Sequence, residues 1–127
     1  MKDKLIEKEF KNIQNKSLAI WPEYKDQIAN TSLIIDERKG IFGEAKLISK
    51  EDNEYQLTIS KLMCCNKSHL MRTMKHEWAH IIDFIERGGS NHNKPWKKIA
   101  KKLGLAYPKS SAKPSIKIAI KIKSDEI

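Results

Sequence analysis

The residues best equipped for chemistry lie together in Lys75-His76-Glu77-Trp78-Ala79-His80. On a helix, two histidines four apart sit one turn above each other, so both imidazoles can reach one metal ion. The glutamate directly after the first points about a quarter-turn aside, where its carboxylate can hold a water against that metal. This is the H-E-x-x-H pattern of zinc hydrolases, in which the histidines bind the ion and the glutamate moves the proton. A catalytic zinc site usually takes a third protein ligand and leaves one position open. The candidates are His69, Asp83, Glu86 and His92. His69 precedes His76 by seven residues, about 10 Å along a helix axis, which is too far. Asp83 shares the histidine face a turn beyond His80 and suits a group that orients a ligand rather than binds the metal. Glu86 points about 80° away from His76 if the helix continues to Arg87. His92 follows Gly88-Gly89 in a segment that can fold back, and it matches the first two ligands chemically. It is the expected third ligand. A structural zinc would call for four ligands, often cysteines, and would have no use for Glu77.

The elements that must position these groups follow from periodicity. A helix is expected from about Ser68, as its N-cap, to Arg87, closed by Gly88-Gly89. At about 100° per residue, Leu70, Met71, Met74, Trp78, Ile81, Ile82 and Ile85 fall in one apolar arc about 120° wide. His69, Thr73, His76, His80 and Asp83 lie opposite, so one face is buried and a histidine-rich face is presented elsewhere. Pro95 and Gly104 frame a second short helix with Trp96, Ile99, Ala100 and Leu103 on its packed side. His92 stands just before its start, facing back toward the first helix. Upstream, residues 2–16 read as a helix, and Pro22 opens a short one ending near Ala29. Ser32–Ser60 reads as three strands, favouring an antiparallel meander with mixed pairing as the alternative, and Tyr55, Leu57 and Ile59 alternate against polar neighbours. Residues 107–115 read as a loop, and Ile116–Ile122 as a strand with a lysine face.

At 127 residues the chain makes one domain. No apolar run reaches membrane-spanning length, and the acidic start, Met1–Glu7, does not resemble a signal peptide. The adjacent Cys64 and Cys65 suit a reducing compartment better than a disulfide framework. Net charge is +9, yet residues 1–86 hold 14 basic and 14 acidic side chains. From Arg87 to Ser124 there are 11 basic residues and no acid. A neutral front and a cationic back point to a polyanionic partner, nucleic acid above all. A lysine-rich solubilising surface, or an edge strand guarded by lysines, gives the same composition.

Met74–His80, Gly88-Gly89-Ser90-Asn91-His92, Trp96-Lys97 and Leu103-Gly104 together resemble the SprT-like metalloprotease domain, the family that includes the Spartan proteases. The likeness extends upstream to the strand ending Leu57-Thr58-Ile59-Ser60 and covers residues 30–105. The resemblance implies Zn2+ on His76, His80 and His92, Glu77 as catalytic base, and a DNA-associated protease acting on proteins crosslinked to DNA. Asn93 stands where the family commonly has glycine. The cysteine zinc ribbon of many members has no counterpart in this sequence, so DNA contact would fall to Lys97, Lys98, Lys101, Lys102, Lys117, Lys121 and Lys123. The expected fold is α+β: a compact zincin-like domain with a sheet of about three strands packed on the motif helix. It divides into an N-terminal helical segment (1–30), a catalytic core (31–105) and a basic tail (106–127). The expected location is cytoplasmic or nucleoid-associated, with Arg72 and Tyr107 as candidate oxyanion stabilisers. The rival readings are a non-enzymatic nucleic-acid-binding module with a structural or vestigial metal, and a zinc hydrolase of small molecules.

Overall fold

The computed structural model describes residues 2–64 and 66–105. The loop and strand expected beyond residue 106, with Tyr107, Lys117, Lys121 and Lys123, lie outside the described residues. The order is α1 (Lys2–Ile20), a 3₁₀ turn (Pro22–Tyr24), α2 (Lys25–Ala29), β1 (Thr31–Asp36), β2 (Gly43–Ser49), β3 (Glu54–Ser60), α3 (Lys67–Arg87) and α4 (Lys94–Lys102). The architecture is α+β, a three-stranded mixed sheet packed against α3 and flanked by the other helices.

α1 runs a turn longer than its stripe of Leu5, Ile6, Phe10 and Ile13 suggests. Ser17 satisfies its hydroxyl on the Ile13 carbonyl at 2.8 Å, and the Trp21 N–H still reaches the Ser17 carbonyl at 2.8 Å. Pro22 then ends the helix. Ile6, Phe10 and Ile13 are buried in the same core as α3, and the Phe10 and Trp78 rings meet at 5.2 Å between centroids.

The sheet departs from a meander. Its order is β1-β3-β2, with β1 parallel to β3 and β2 antiparallel to it. The β2–β3 hairpin closes through Asn53 at φ 53°, a left-handed conformation that asparagine tolerates. The chain between β1 and β2 must therefore pass over the end of β3, and it is fastened there. The Ser60 hydroxyl donates to the Arg38 carbonyl at 2.6 Å, and the Ser60 and Lys61 amides donate to the carbonyls of Phe42 and Asp36, both at 2.9 Å. β3 consequently sits in the middle, and its Leu57 and Ile59 are fully buried.

α3 starts two residues before the expected position. Asn66, not Ser68, is the N-cap: its Oδ1 accepts from the His69 N–H at 2.9 Å, which satisfies an otherwise free amide of the first turn. The helix ends at Gly88, whose φ of 77° is the left-handed cap that glycine adopts without strain. Leu70, Met74, Trp78, Ile81 and Ile82 form its buried side, while Met71 and Ile85 are only half-buried. The opposite face is less open than its polarity suggests, because Thr73, His76 and Asp83 are buried too. No helix among the described residues is long and apolar enough to cross a membrane.

Candidate metal centre

α3 supplies His76 and His80 from successive turns, and the segment after Gly88 brings His92 back against them. The His92 Nε2 lies 3.0 Å from the His80 Nε2 and 3.2 Å from the His76 Nε2. Two ligand nitrogens on a tetrahedral zinc, each about 2.05 Å from the ion, stand about 3.3 Å apart. The observed separations are close to that edge length, so the triad has the donor set and spacing to chelate a metal. Each ring also meets Trp96, with centroid distances of 4.8, 5.2 and 4.8 Å to His76, His80 and His92. Trp96 is the third residue of α4, directly after Pro95, and is fully buried. Periodicity assigned it to the hydrophobic side of α4, and it is there, but it is also the wall against which the three imidazoles pack.

Burial sets the protonation of this cluster. His76 is held well below its ordinary 6.5, by burial first and by His80 and His92 next. His80 is brought down to about 4, again by burial and then His92, with Asp83 pulling the other way. Neutral imidazoles are the ligand form. Glu77, 8% exposed, is pushed up to about 8 by burial and, to a smaller extent, by the charge of Glu44. Its neighbour on β2 is Gly43, and sequence offered no sign of their contact. A Cβ at Gly43 would lie 2.9 Å from the Thr58 carbonyl oxygen, 3.1 Å from Thr73 Cγ2 and 3.2 Å from Glu77 Cγ. Glycine is needed here for space.

The other candidates fall elsewhere. Glu86 is exposed and accepts from the Tyr24 hydroxyl at 3.0 Å. His69 faces the Phe42 ring at 6.0 Å, and Arg72 lines a basic groove with Lys67, Lys75 and Leu105. Asp83 is fully buried and takes a bidentate pair from Arg87, both contacts at 2.7 Å. It also accepts from the Ser90 hydroxyl at 2.7 Å, and that same oxygen lies 2.6 Å from the His80 Nδ1. Ser90 and Arg87 were not singled out in the sequence, since a serine after two glycines reads as an ordinary turn. Asn93 occupies the N-cap position of α4, without a side-chain capping bond, at φ −88°, within the range of any residue, so the turn does not need glycine. Lys97, Lys98, Lys101 and Lys102 are all exposed on α4.

The profile of the SprT-like family matches residues 11–119. The chain belongs to the SprT-like family. The match reaches beyond the 30–105 span of the recognisable motifs, taking in the second half of α1 and part of the sequence after α4. Searches of curated proteins and of solved structures gave no significant match. Membership in this zinc metalloprotease family and the chelating triad agree on a zinc-dependent hydrolase.

Proposed function

We propose that this SprT-like domain is a zinc-dependent endopeptidase, with His76, His80 and His92 holding the ion and Glu77 acting as general base. The observation that carries this reading is the His76–His80–His92 cluster, with the His92 Nε2 3.0 and 3.2 Å from the Nε2 atoms of His80 and His76 and ligand atoms of all three within 4.8 Å of one another, beside a buried glutamate. When bound, zinc supplies Lewis acidity toward the scissile carbonyl and acidifies water. The Glu77 carboxylate takes one proton from the attacking water and returns it to the leaving amine, so the peptide bond breaks with no net proton change. Trp96 excludes water from one side of the imidazoles. β2 begins beside Glu77, and among the described residues its outer edge pairs with no strand, so an extended peptide can add there by backbone hydrogen bonds. Glu77→Gln should abolish peptide hydrolysis while the protein still binds one zinc. Full proteolysis by that variant would refute the mechanism.

The finer reading is that the substrates are DNA-bound or DNA-crosslinked proteins, and that the protein works in the cytoplasm or in association with the nucleoid. Its support is charge: Lys97, Lys98, Lys101 and Lys102 project from α4, Lys67, Arg72 and Lys75 line a groove nearby, and no acid occurs from Arg87 to Ser124. Binding to a DNA oligonucleotide should weaken steeply as salt rises from 50 to 200 mM, on the order of tenfold or more for several phosphate contacts. No affinity at low salt would sink the DNA reading and leave the protease reading standing.

A further inference from the structure

His80 can serve a metal through Nε2 only if its proton sits on Nδ1. The hydrogen bonds around Ser90 decide that question. Asp83 is fully buried and clasped by Arg87 through Nε and a terminal nitrogen, both at 2.7 Å, so it is a carboxylate and can only accept. The Ser90 hydroxyl, 2.7 Å from Asp83 Oδ2, must spend its single proton there. What remains on Ser90 toward the His80 Nδ1, at 2.6 Å, is a lone pair. The proton in that short contact therefore belongs to the imidazole.

We infer that Ser90, oriented by the Arg87–Asp83 pair, is a positioning residue that fixes His80 as its Nδ1–H tautomer and so presents the Nε2 lone pair to the metal. The inference rests on the reading of the three histidines as metal ligands. The arrangement is built by the helix terminus. The left-handed Gly88 cap, its N–H on the Phe84 carbonyl at 2.8 Å, turns the chain so that Ser90 returns to the side carrying Asp83 and His80. Arg87 also reaches Asn91 and Asn93 at 3.5 and 3.4 Å, on either side of His92. One guanidinium thus braces both the serine that orients one ligand and the turn that carries another.

Two substitutions separate this role from simple packing. Ser90→Ala removes the acceptor, whereas Ser90→Thr keeps it. Chelator competition should show zinc affinity roughly 10–100-fold weaker in Ser90→Ala and near wild type in Ser90→Thr. Nitrogen-15 NMR of the metal-free protein should show His80 protonated on Nδ1 in the wild type and in Ser90→Thr. Wild-type zinc affinity in Ser90→Ala overturns the inference while leaving the metal reading intact. A wild-type protein whose His80 carries its proton on Nε2 overturns it whatever becomes of the variants. If the wild type fails to bind zinc, the protease reading falls, and the tautomer measurement still decides the role of Ser90.

Discussion

Keeping a carboxylate at position 77 should cost the metal-free protein stability, and Glu77→Gln should recover it. Glu77 is 8% exposed, and its pKa is pushed from 4.5 to about 8, chiefly by burial. Between those two values the folded state holds a proton that the unfolded chain has released. The Glu77 contribution to stability therefore declines as pH rises through this window. One pH unit corresponds to about 1.4 kcal/mol, so at pH 7 the loss amounts to at most about 3 kcal/mol. A neutral glutamine of similar shape escapes it. Urea unfolding of the chelated proteins should thus give nearly equal stabilities for wild type and Glu77→Gln at pH 4.5. At pH 7 the variant should be more stable by up to that amount. Saturating zinc should shrink the gap, because a divalent cation beside the carboxylate favours its charged form. Parallel stability curves from pH 4.5 to 8 would refute the argument that burial holds Glu77 protonated.

The histidines impose the opposite slope. His80 is lowered to about 4 and His76 is also held well below its ordinary 6.5, so on acidification the unfolded chain takes up protons that the folded chain refuses. The metal-free domain should lose stability as pH falls below about 6.5, by about 3 kcal/mol from His80 alone by pH 4. With Glu77 acting from the other side, urea midpoints measured across pH should peak near neutrality, and a flat acid limb would contradict the burial of these rings. Gly43→Ala should destabilise the fold by about 1–3 kcal/mol, since its Cβ meets the fixed Thr58 carbonyl. The displaced Glu77 should also cost about tenfold or more in kcat for peptide hydrolysis. A Gly43→Ala protein with unchanged melting and turnover would show that β2 can yield.

What the sequence made legible was local. The H-E-x-x-H spacing, the apolar arc of α3, the Gly88-Gly89 stop and the Pro95-Trp96 start each depend on residues within a turn or two of one another. Together they sufficed to bring His92 toward His76 and His80. The pairing of β1 with β3 was not legible, because three short strands in succession are equally compatible with a meander and with mixed pairing. The choice is made by the chain crossing the end of β3, held by the Ser60 and Lys61 bonds to Arg38, Phe42 and Asp36. The N-cap moved from Ser68 to Asn66 for a smaller reason: both side chains can cap, and Asn66 is the one placed to accept from the His69 amide.

The residues missed at the site share a physical character. Gly43 matters through the room it leaves, and Ser90 through a proton it gives away, and neither property marks a sequence. Asp83 was readable as a group that orients a ligand, because it lies on the histidine face, but not how. Its oxygens point at Arg87 and Ser90, so its influence on His80 passes through the hydroxyl of a loop residue seven positions on. A helical wheel finds which side chains share a face. It cannot find the contact made when the chain leaves the helix and returns, and at this site that return supplies both His92 and the serine that orients His80.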